Sequence, residues 1–429
     1  MAPPKGGYAP SLEKFLDTLK SRPVDASVEF LISLLKRRQI RGSESCAIAT
    51  AHILLQVVAK DKWIDVDQLL GRIQLVGRKL VTAQPHELAI GNIVKRVLGL
   101  IRDEASEDRN DTGNDPLADA SPAPIPGAET TNTTLGKLPR PSPAVAAGPF
   151  ARTQSIFNLL SDPDSIPSAG STPVLGSGAS SPRGHGQFTN VHALRSEVID
   201  GIEEIMDEIR QVDEQVQAYA DVVINPGDYI LVHQPSKTVQ KFLTRAASKR
   251  RFTVFLVADP SALSSTDDTY APFRKSLSAG GSTVINVMNA GLMAYMSKVN
   301  KVILGARAIG SKGGVIVDAG AAAIARAARE QGRTVVVLGG VYKLSPDSQF
   351  HQEGLVEWGD PSKYVNFADG AMVERVRVMN AVAEFVPADL VNTYITNLGA
   401  HSKDHLHTIV ADHYKEEDVN FDLLRKIPR

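Results

Sequence analysis

The stretch VNKVILGARAIGSKGGVIVDAGAAAIARAARE, Val299 to Glu330, decides the fold. Val302, Ile303 and Leu304 are an apolar run that ends at Gly305. A glycine-punctuated loop follows through Gly310, Gly313 and Gly314. A second short apolar run, Val315 to Val317, leads into an alanine-rich, helical segment from Gly320 to Glu330. Thr334 to Leu338 is another β-branched run. Strand, loop, helix and strand in this order predict a parallel α/β layer, whose ligand site lies just beyond the strand ends. Arg307 occupies that loop.

The same alternation extends over residues 222–429. Tyr229 to His233, Phe252 to Ala258 and Thr283 to Val287 are further strand candidates. Lys237 to Arg251 and Ala290 to Asn300 have helical length and composition between them. A parallel, doubly wound, Rossmann-like sheet is the expectation. Before it, residues 187–221 carry one long helix, from about Val191 to Ala220. Leu194, Val198, Ile202, Ile205, Ile209, Val212 and Val216 recur by threes and fours along it. The opposite face holds Glu197, Asp200, Glu203, Glu204, Asp207, Glu208, Asp213 and Glu214, a solvated face or a contact for a basic partner.

Residues 105–186 are rich in Ser, Pro, Thr and Gly, and such a segment buries too little apolar surface to offset its entropy. A disordered insertion is expected there. Within it, SIFNLLSD (Ile156, Phe157, Leu159, Leu160) is a docking motif or a chance cluster. Residues 1–104 read as a helical domain. Leu12, Phe15, Leu16 and Leu19 mark a first helix, and Val28, Leu31, Ile32 and Leu35 a second. Ser43 to Lys60 is a third, Asp65 caps a fourth running to Leu80, and Ile93 to Ile101 marks a fifth.

A formal charge of −1 excludes bulk attraction to nucleic acid or to an anionic membrane as the main activity. Cys46 is the single cysteine, so no intrachain disulfide or cysteine-rich zinc site forms. The start of the chain lacks the apolar core of a secretory signal, and no run is long enough to span a bilayer. The expectation is a soluble, cytosolic protein with no metal and no cofactor.

The phosphate-binding motifs fail on detail. GARAIGSK, Gly305 to Lys312, places Ser311 before Lys312, the reverse of a P-loop. No G-x-G-x-x-G follows the first strand. Ser236 and Lys237 open a helix, either as an ordinary cap or as an anion-holding N-terminus, with the cap preferred. His401, His405 and His407 cluster without neighbouring cysteines, which speaks against a metal site. Lys36, Arg37, Arg38 and Arg41, and Lys249, Arg250 and Arg251, read most simply as solvated helix ends.

Five segments together carry a resemblance: AQPHELAIGNIVKRVLGLIRDE (Ala83–Glu104), KFLTRAASKRRFTVFLVADP (Lys241–Pro260), MSKVNKVILGARAI (Met296–Ile309), YKLSPD (Tyr342–Asp347) and VPADLVNTYITNLGA (Val386–Ala400). The chain resembles the regulatory (alpha, beta, delta) subunits of eukaryotic translation initiation factor 2B, and their beta branch in particular. Methylthioribose-1-phosphate isomerases are relatives of that group. The resemblance implies a helical domain joined to a Rossmann-like one. It also implies a non-catalytic regulatory and scaffolding role in the guanine-nucleotide exchange complex for initiation factor 2. The implied partners are the alpha, delta, gamma and epsilon subunits, initiation factor 2 with its alpha subunit, and a second copy of this chain within a decamer. Neither a membrane nor direct nucleic-acid binding belongs to that picture. The core of the complex would sense phosphorylation of the factor's alpha subunit.

The isomerases of the group place a cysteine directly after a histidine, in a sequence like T-H-C-N, and an aspartate in a G-A-D motif. Here Gln234 follows His233, and Arg307 follows Gly305-Ala306. An amide supplies no thiolate, and a guanidinium accepts no proton. Gln234 and Arg307 are therefore read as degenerate isomerase positions, with no catalytic residue remaining. Arg41-Gly42-Ser43 resembles the group's phosphate-side R-G segment and marks the place for a vestigial anion site. A sugar-phosphate aldose–ketose isomerase is the alternative function. Met288, Leu292, Met293, Tyr295 and Met296 are either an assembly patch or the core face of a helix.

Overall fold

A computed structural model describes residues 12–113, 191–257, 270–288, 291–346, 356–361, 364–365, 370 and 375–419. SIFNLLSD and nearly all of the insertion lie outside the described residues. Five helices open the chain: α1 (Leu12–Leu19), α2 (Val24–Lys36), α3 (Ser43–Lys60), α4 (Val66–Ala83) and α5 (Leu88–Gly113). Their boundaries follow from local chemistry. Proline precedes α2 at Pro23, and Gly42 stands at the cap position of α3 with φ of 88°, a backbone angle that suits glycine. Asp65 stands at the cap position of α4, but its carboxylate makes no capping hydrogen bond. The helix α5 runs past Glu104 to Gly113, so the compositional boundary of the insertion falls inside a helix.

The long helix expected from periodicity is α6 (Val191–Ala218), continued by a single turn, α7 (Ala220–Val223). All seven residues of its apolar stripe are buried. Its acidic face is not wholly solvated. Glu208 pairs with Arg96 of α5 at 2.6 Å. Asp213 accepts from Thr238 at 2.7 Å and pairs with Lys241 at 2.9 Å, while the remaining six carboxylates are exposed.

The main sheet has seven strands. They are β1 (Tyr229–His233), β2 (Thr253–Val257), β3 (Thr283–Val287), β4 (Lys301–Gly305), β7 (Thr334–Leu338), β11 (Thr393–Thr396) and β12 (Gly399–His401), in spatial order β12-β11-β7-β4-β1-β2-β3. All neighbours are parallel except β12, which turns back on β11. The helices α8 (Lys237–Ala247), α9 (Ala271–Ala279), α10 (Leu292–Met296) and α11 (Ala321–Glu330) lie between strands in sequence, and α12 (Lys403–His413) and α13 (Glu416–Val419) follow the last strand. Alternation explains why these strands read as unbroken apolar runs. Ile230, Val232, Ile303, Val336 and Leu338 point to the core shared with the helical bundle. Leu231, Val302, Leu304, Val335 and Val337 point to a second core on the opposite face.

A second, five-stranded sheet was not legible in the pattern. Its order is β8-β5-β6-β10-β9, with β5 (Ala308–Gly310), β6 (Val315–Asp318), β8 (Leu344–Ser345), β9 (Glu357–Gly359) and β10 (Asn380–Val386). The stretch read as a loop after Gly305 thus contains β5, which pairs antiparallel with β6 through Ala308↔Ile316 and Ile309↔Val315. Three residues are too few to show a period. Two helices also end earlier than their composition suggests. The helix α8 stops at Ala247, and α10 covers only Leu292–Met296. Beyond α8, Lys249 pairs with Asp221 and Arg250 donates to the Ile224 carbonyl.

Candidate functional site

Strand order reverses between β1 and β4, which pair through Ile230↔Lys301, Leu231↔Val302 and Val232↔Ile303. In a doubly wound sheet the crevice at such a reversal is where ligands sit. Gln234 follows β1 and Arg307 follows β4, so the two positions singled out in the sequence flank this crevice. The strand ends are packed tightly there. A Cβ on Gly305 would lie 2.6 Å from Ser236 Oγ and 3.1 Å from Val239 Cγ2, so only glycine fits. Ser236 is a helix cap, its Oγ accepting from Val239 N at 3.4 Å. Gln234 has a left-handed φ of 39°, and its N–H donates to the Val257 carbonyl at 3.0 Å. His233 is buried, and its Nε2 lies 2.8 Å from the Ala319 carbonyl. A carbonyl only accepts, so this nitrogen carries the proton.

Arg307 is held by two carboxylates. Its Nε and Nη2 donate to Asp318 Oδ1 at 2.8 and 2.5 Å, and its Nη1 donates to Glu357 Oε2 at 2.9 Å. Burial opposes the guanidinium charge, but Asp318 and then Glu357 outweigh it and raise the pKa. The other oxygen of Glu357 is taken by Arg38. Arg41, Gly42 and Ser43, distant in sequence, come to the same place: Ser43 Oγ donates to the Arg307 carbonyl at 3.2 Å. Arg41 itself is exposed and turns its Nε to the Arg38 carbonyl at 2.5 Å.

More ionisable groups surround this centre than sequence reasoning found. Lys343 is buried and donates to the Ala306 carbonyl at 2.9 Å; burial pushes its pKa down, against the pull of Glu87. Burial pushes the Glu87 carboxyl up, while a hydrogen bond with Ser43 and the charge of Lys343 work the other way. Glu384 caps α11, its Oε1 accepting from the N–H groups of Gly320 and Ala322 at 2.7 Å each. Asp318 ends the apolar run VIVD inside the opening stretch, and Lys343 lies in YKLSPD. Glu357 stands on the three-residue β9 and Glu384 on β10 of the second sheet, with no motif to mark them.

No group of three metal-ligating side chains occurs among the described residues. His401 and His405 stack at 5.3 Å, and His401 Nε2 lies 2.9 Å from Thr396 Oγ1. His407 is exposed. Among the described residues no helix is long and apolar enough to cross a membrane.

A model of the initiation factor 2 subunit family matches residues 39–403. The chain belongs to this family. Family members similar to it include translation initiation factor eIF2B subunit beta of Schizosaccharomyces pombe, 32% identical over 94% of this chain and 100% of that one. The crystal structure of eIF2B beta from Chaetomium thermophilum is 40% identical, with a TM-score of 0.64 and coverage of 96% of this chain and 97% of that one. A chain of the tetrameric eIF2B-beta2-delta2 complex from C. thermophilum is 41% identical, with a TM-score of 0.64 over 94% and 100%. Ribose 1,5-bisphosphate isomerase of Pyrococcus furiosus is 24% identical over 49% of this chain and 64% of that one. The beta-branch matches cover nearly the whole chain, helical region and parallel-sheet domain included, as the resemblance of the five segments implied.

Proposed function

We propose that this chain is the beta-type regulatory and scaffolding subunit of the exchange complex for translation initiation factor 2, working in the cytosol without catalysing a reaction itself. End-to-end similarity to beta subunits carries the reading, since it covers 94% of this chain and all of the S. pombe protein. The beta–delta tetramer supports delta and a second beta copy as partners. Alpha, gamma and epsilon subunits complete the proposed decamer, and the alpha subunit of factor 2 is its regulatory ligand. In this reading the helical bundle contributes to sensing phosphorylation of that ligand through a population shift between packed arrangements. Exposed apolar side chains are available for assembly. Met288 is 69% and Met293 56% exposed, whereas Leu292 and Met296 from the same segment belong to the core.

Light scattering on the purified chain, alone and mixed with delta, tests the assembly. A mass corresponding to a beta–delta complex supports the reading. A stable monomer indifferent to all four other subunits defeats it. Nucleotide release from factor 2, with and without phosphorylation of its alpha subunit, then tests regulation in assemblies containing or lacking this chain.

The isomerase match favours a second reading, a sugar-phosphate isomerase. Gln234 and the carboxylate-locked Arg307 speak against it. Neither offers the thiolate or the proton acceptor that the chemistry requires. Gln234→Cys with Arg307→Asp is expected to give no substantial turnover of pentose phosphates, because Asp318 and Glu357 would face an added negative charge. Clear turnover by the unaltered chain would establish the enzyme reading.

A further inference from the structure

The ion pairs around Glu357 join parts of the chain between which no backbone hydrogen bond runs among the described residues. Glu357 sits on β9, a three-residue strand that among the described residues stands at the edge of the second sheet and pairs with β10 alone, with a register shift between Ala381 and Ala383. Such a strand has little ladder of its own to resist local opening. Yet its Glu357 side chain is only 7% exposed, and both carboxylate oxygens are taken by guanidiniums from elsewhere. Arg307 comes from the loop after β4, and Arg38 from the segment 37–42 between α2 and α3. Arg38 holds a left-handed φ of 52°, a strained angle for a non-glycine residue. The first residue of α3, directly after that segment, is tied to Arg307 again, Ser43 Oγ donating to the Arg307 carbonyl.

We infer that Asp318, Arg307, Glu357 and Arg38 form an ionic clasp that couples the α2–α3 segment of the helical bundle to the edge strand of the second sheet. Opening at one end raises the probability of opening at the other. The physical cause is charge. Asp318 and Glu357 together face two guanidiniums; without Arg38 they share Arg307 alone, and one negative charge is left uncompensated. Losing Arg38 therefore weakens β9, and losing Glu357 releases the strain at Arg38. Strand alternation turns the adjacent Trp358 outward, 51% exposed, so β9 presents one face to the clasp and the other to solvent.

Hydrogen–deuterium exchange on the full chain tests the coupling. Arg38→Met, at a side chain 43% exposed and outside the core, is expected to speed exchange of the β9 amides by about tenfold. Glu357→Gln is expected to speed exchange over 37–42 by a similar factor, and Arg307→Met over both. Exchange in β1, β2 and α8 should stay unchanged. Acceleration confined to the substituted segment in each variant would overturn the clasp. If Arg307→Met does not fold, Arg38→Met and Glu357→Gln decide by themselves, since each is read at the other's position.

Discussion

At Arg307 one guanidinium satisfies Asp318 and Glu357 together, using three of its five donors in fixed directions. A lysine keeps the charge but not the fork. Arg307→Lys is therefore expected to lower stability by about 1–2 kcal/mol, read as a shift in the urea midpoint at constant slope. Glu87 gives a pH signature. Its folded-state pKa is raised above the ordinary 4.5 by burial, so the folded chain holds this proton more tightly than the unfolded chain. The penalty is absent below the unfolded value and grows as pH rises through the folded one. Ser43, Lys343, Arg307 and Glu357 face this group and temper or add to the effect. Glu87→Gln should flatten the fall in stability as pH rises from the ordinary carboxylate value through the raised one, and leave the neutral-pH midpoint equal or higher. An unchanged slope would show that the carboxylate does not titrate in that window. At this scale the sequence marked Gln234, Arg307 and Ser43, because each stands in a recognisable local pattern. It left Glu357 and Glu384 unmarked, because a lone carboxylate on a strand gains its role only from whatever packs against it.

Among the elements, the hairpin from β5 to β6 shows how a turn depends on what lies above it. Gly313 has a φ of 87°, and a Cβ there would lie 2.9 Å from the Tyr394 hydroxyl and 3.0 Å from Lys403 Cβ. The Tyr394 hydroxyl donates to the Gly313 carbonyl, and its ring is fully buried. Gly313→Ala combines a strained angle with a collision and is expected to cost about 2–3 kcal/mol, checked by denaturant unfolding. Gly305→Ala meets the capping hydroxyl instead. Its cost should shrink in a Ser236→Ala background, and a double-mutant cycle would measure that coupling. Additive costs would place the collision elsewhere. The long elements were legible because each had enough residues to repeat a period. The start of α6 at Val191 and the whole of β1 fell where the pattern put them. The short strands β5, β8 and β9 were not, since two or three residues carry no period and owe their state to neighbours.

For the whole molecule, one apolar core runs from Phe15 of α1 through α3, α5 and α6 to Ile230, Ile303 and Val336 of the main sheet. Polar ties cross the same boundary, including Asn92 Nδ2 donating to the Tyr342 carbonyl at 3.1 Å. The helical bundle and main sheet should therefore unfold together. Trp63 is buried in the bundle and serves as its reporter once Trp358 is replaced by Phe. Its fluorescence change and the loss of exchange protection in β1 and β4 are expected at the same urea concentration. A bundle transition clearly preceding the sheet transition would refute a shared core. Hydrophobic periodicity along the chain was enough to settle the helical region and the parallel sheet, since those follow from which residues must leave water and at what spacing; the family was legible only in the five segments that carry the resemblance. The second sheet, the ring of carboxylates and cations around Arg307, and the joint between Arg38 and Glu357 were settled only when remote segments met. Ion pairs and short strands carry no repeating pattern, and their free energy depends on distances that chain order does not specify.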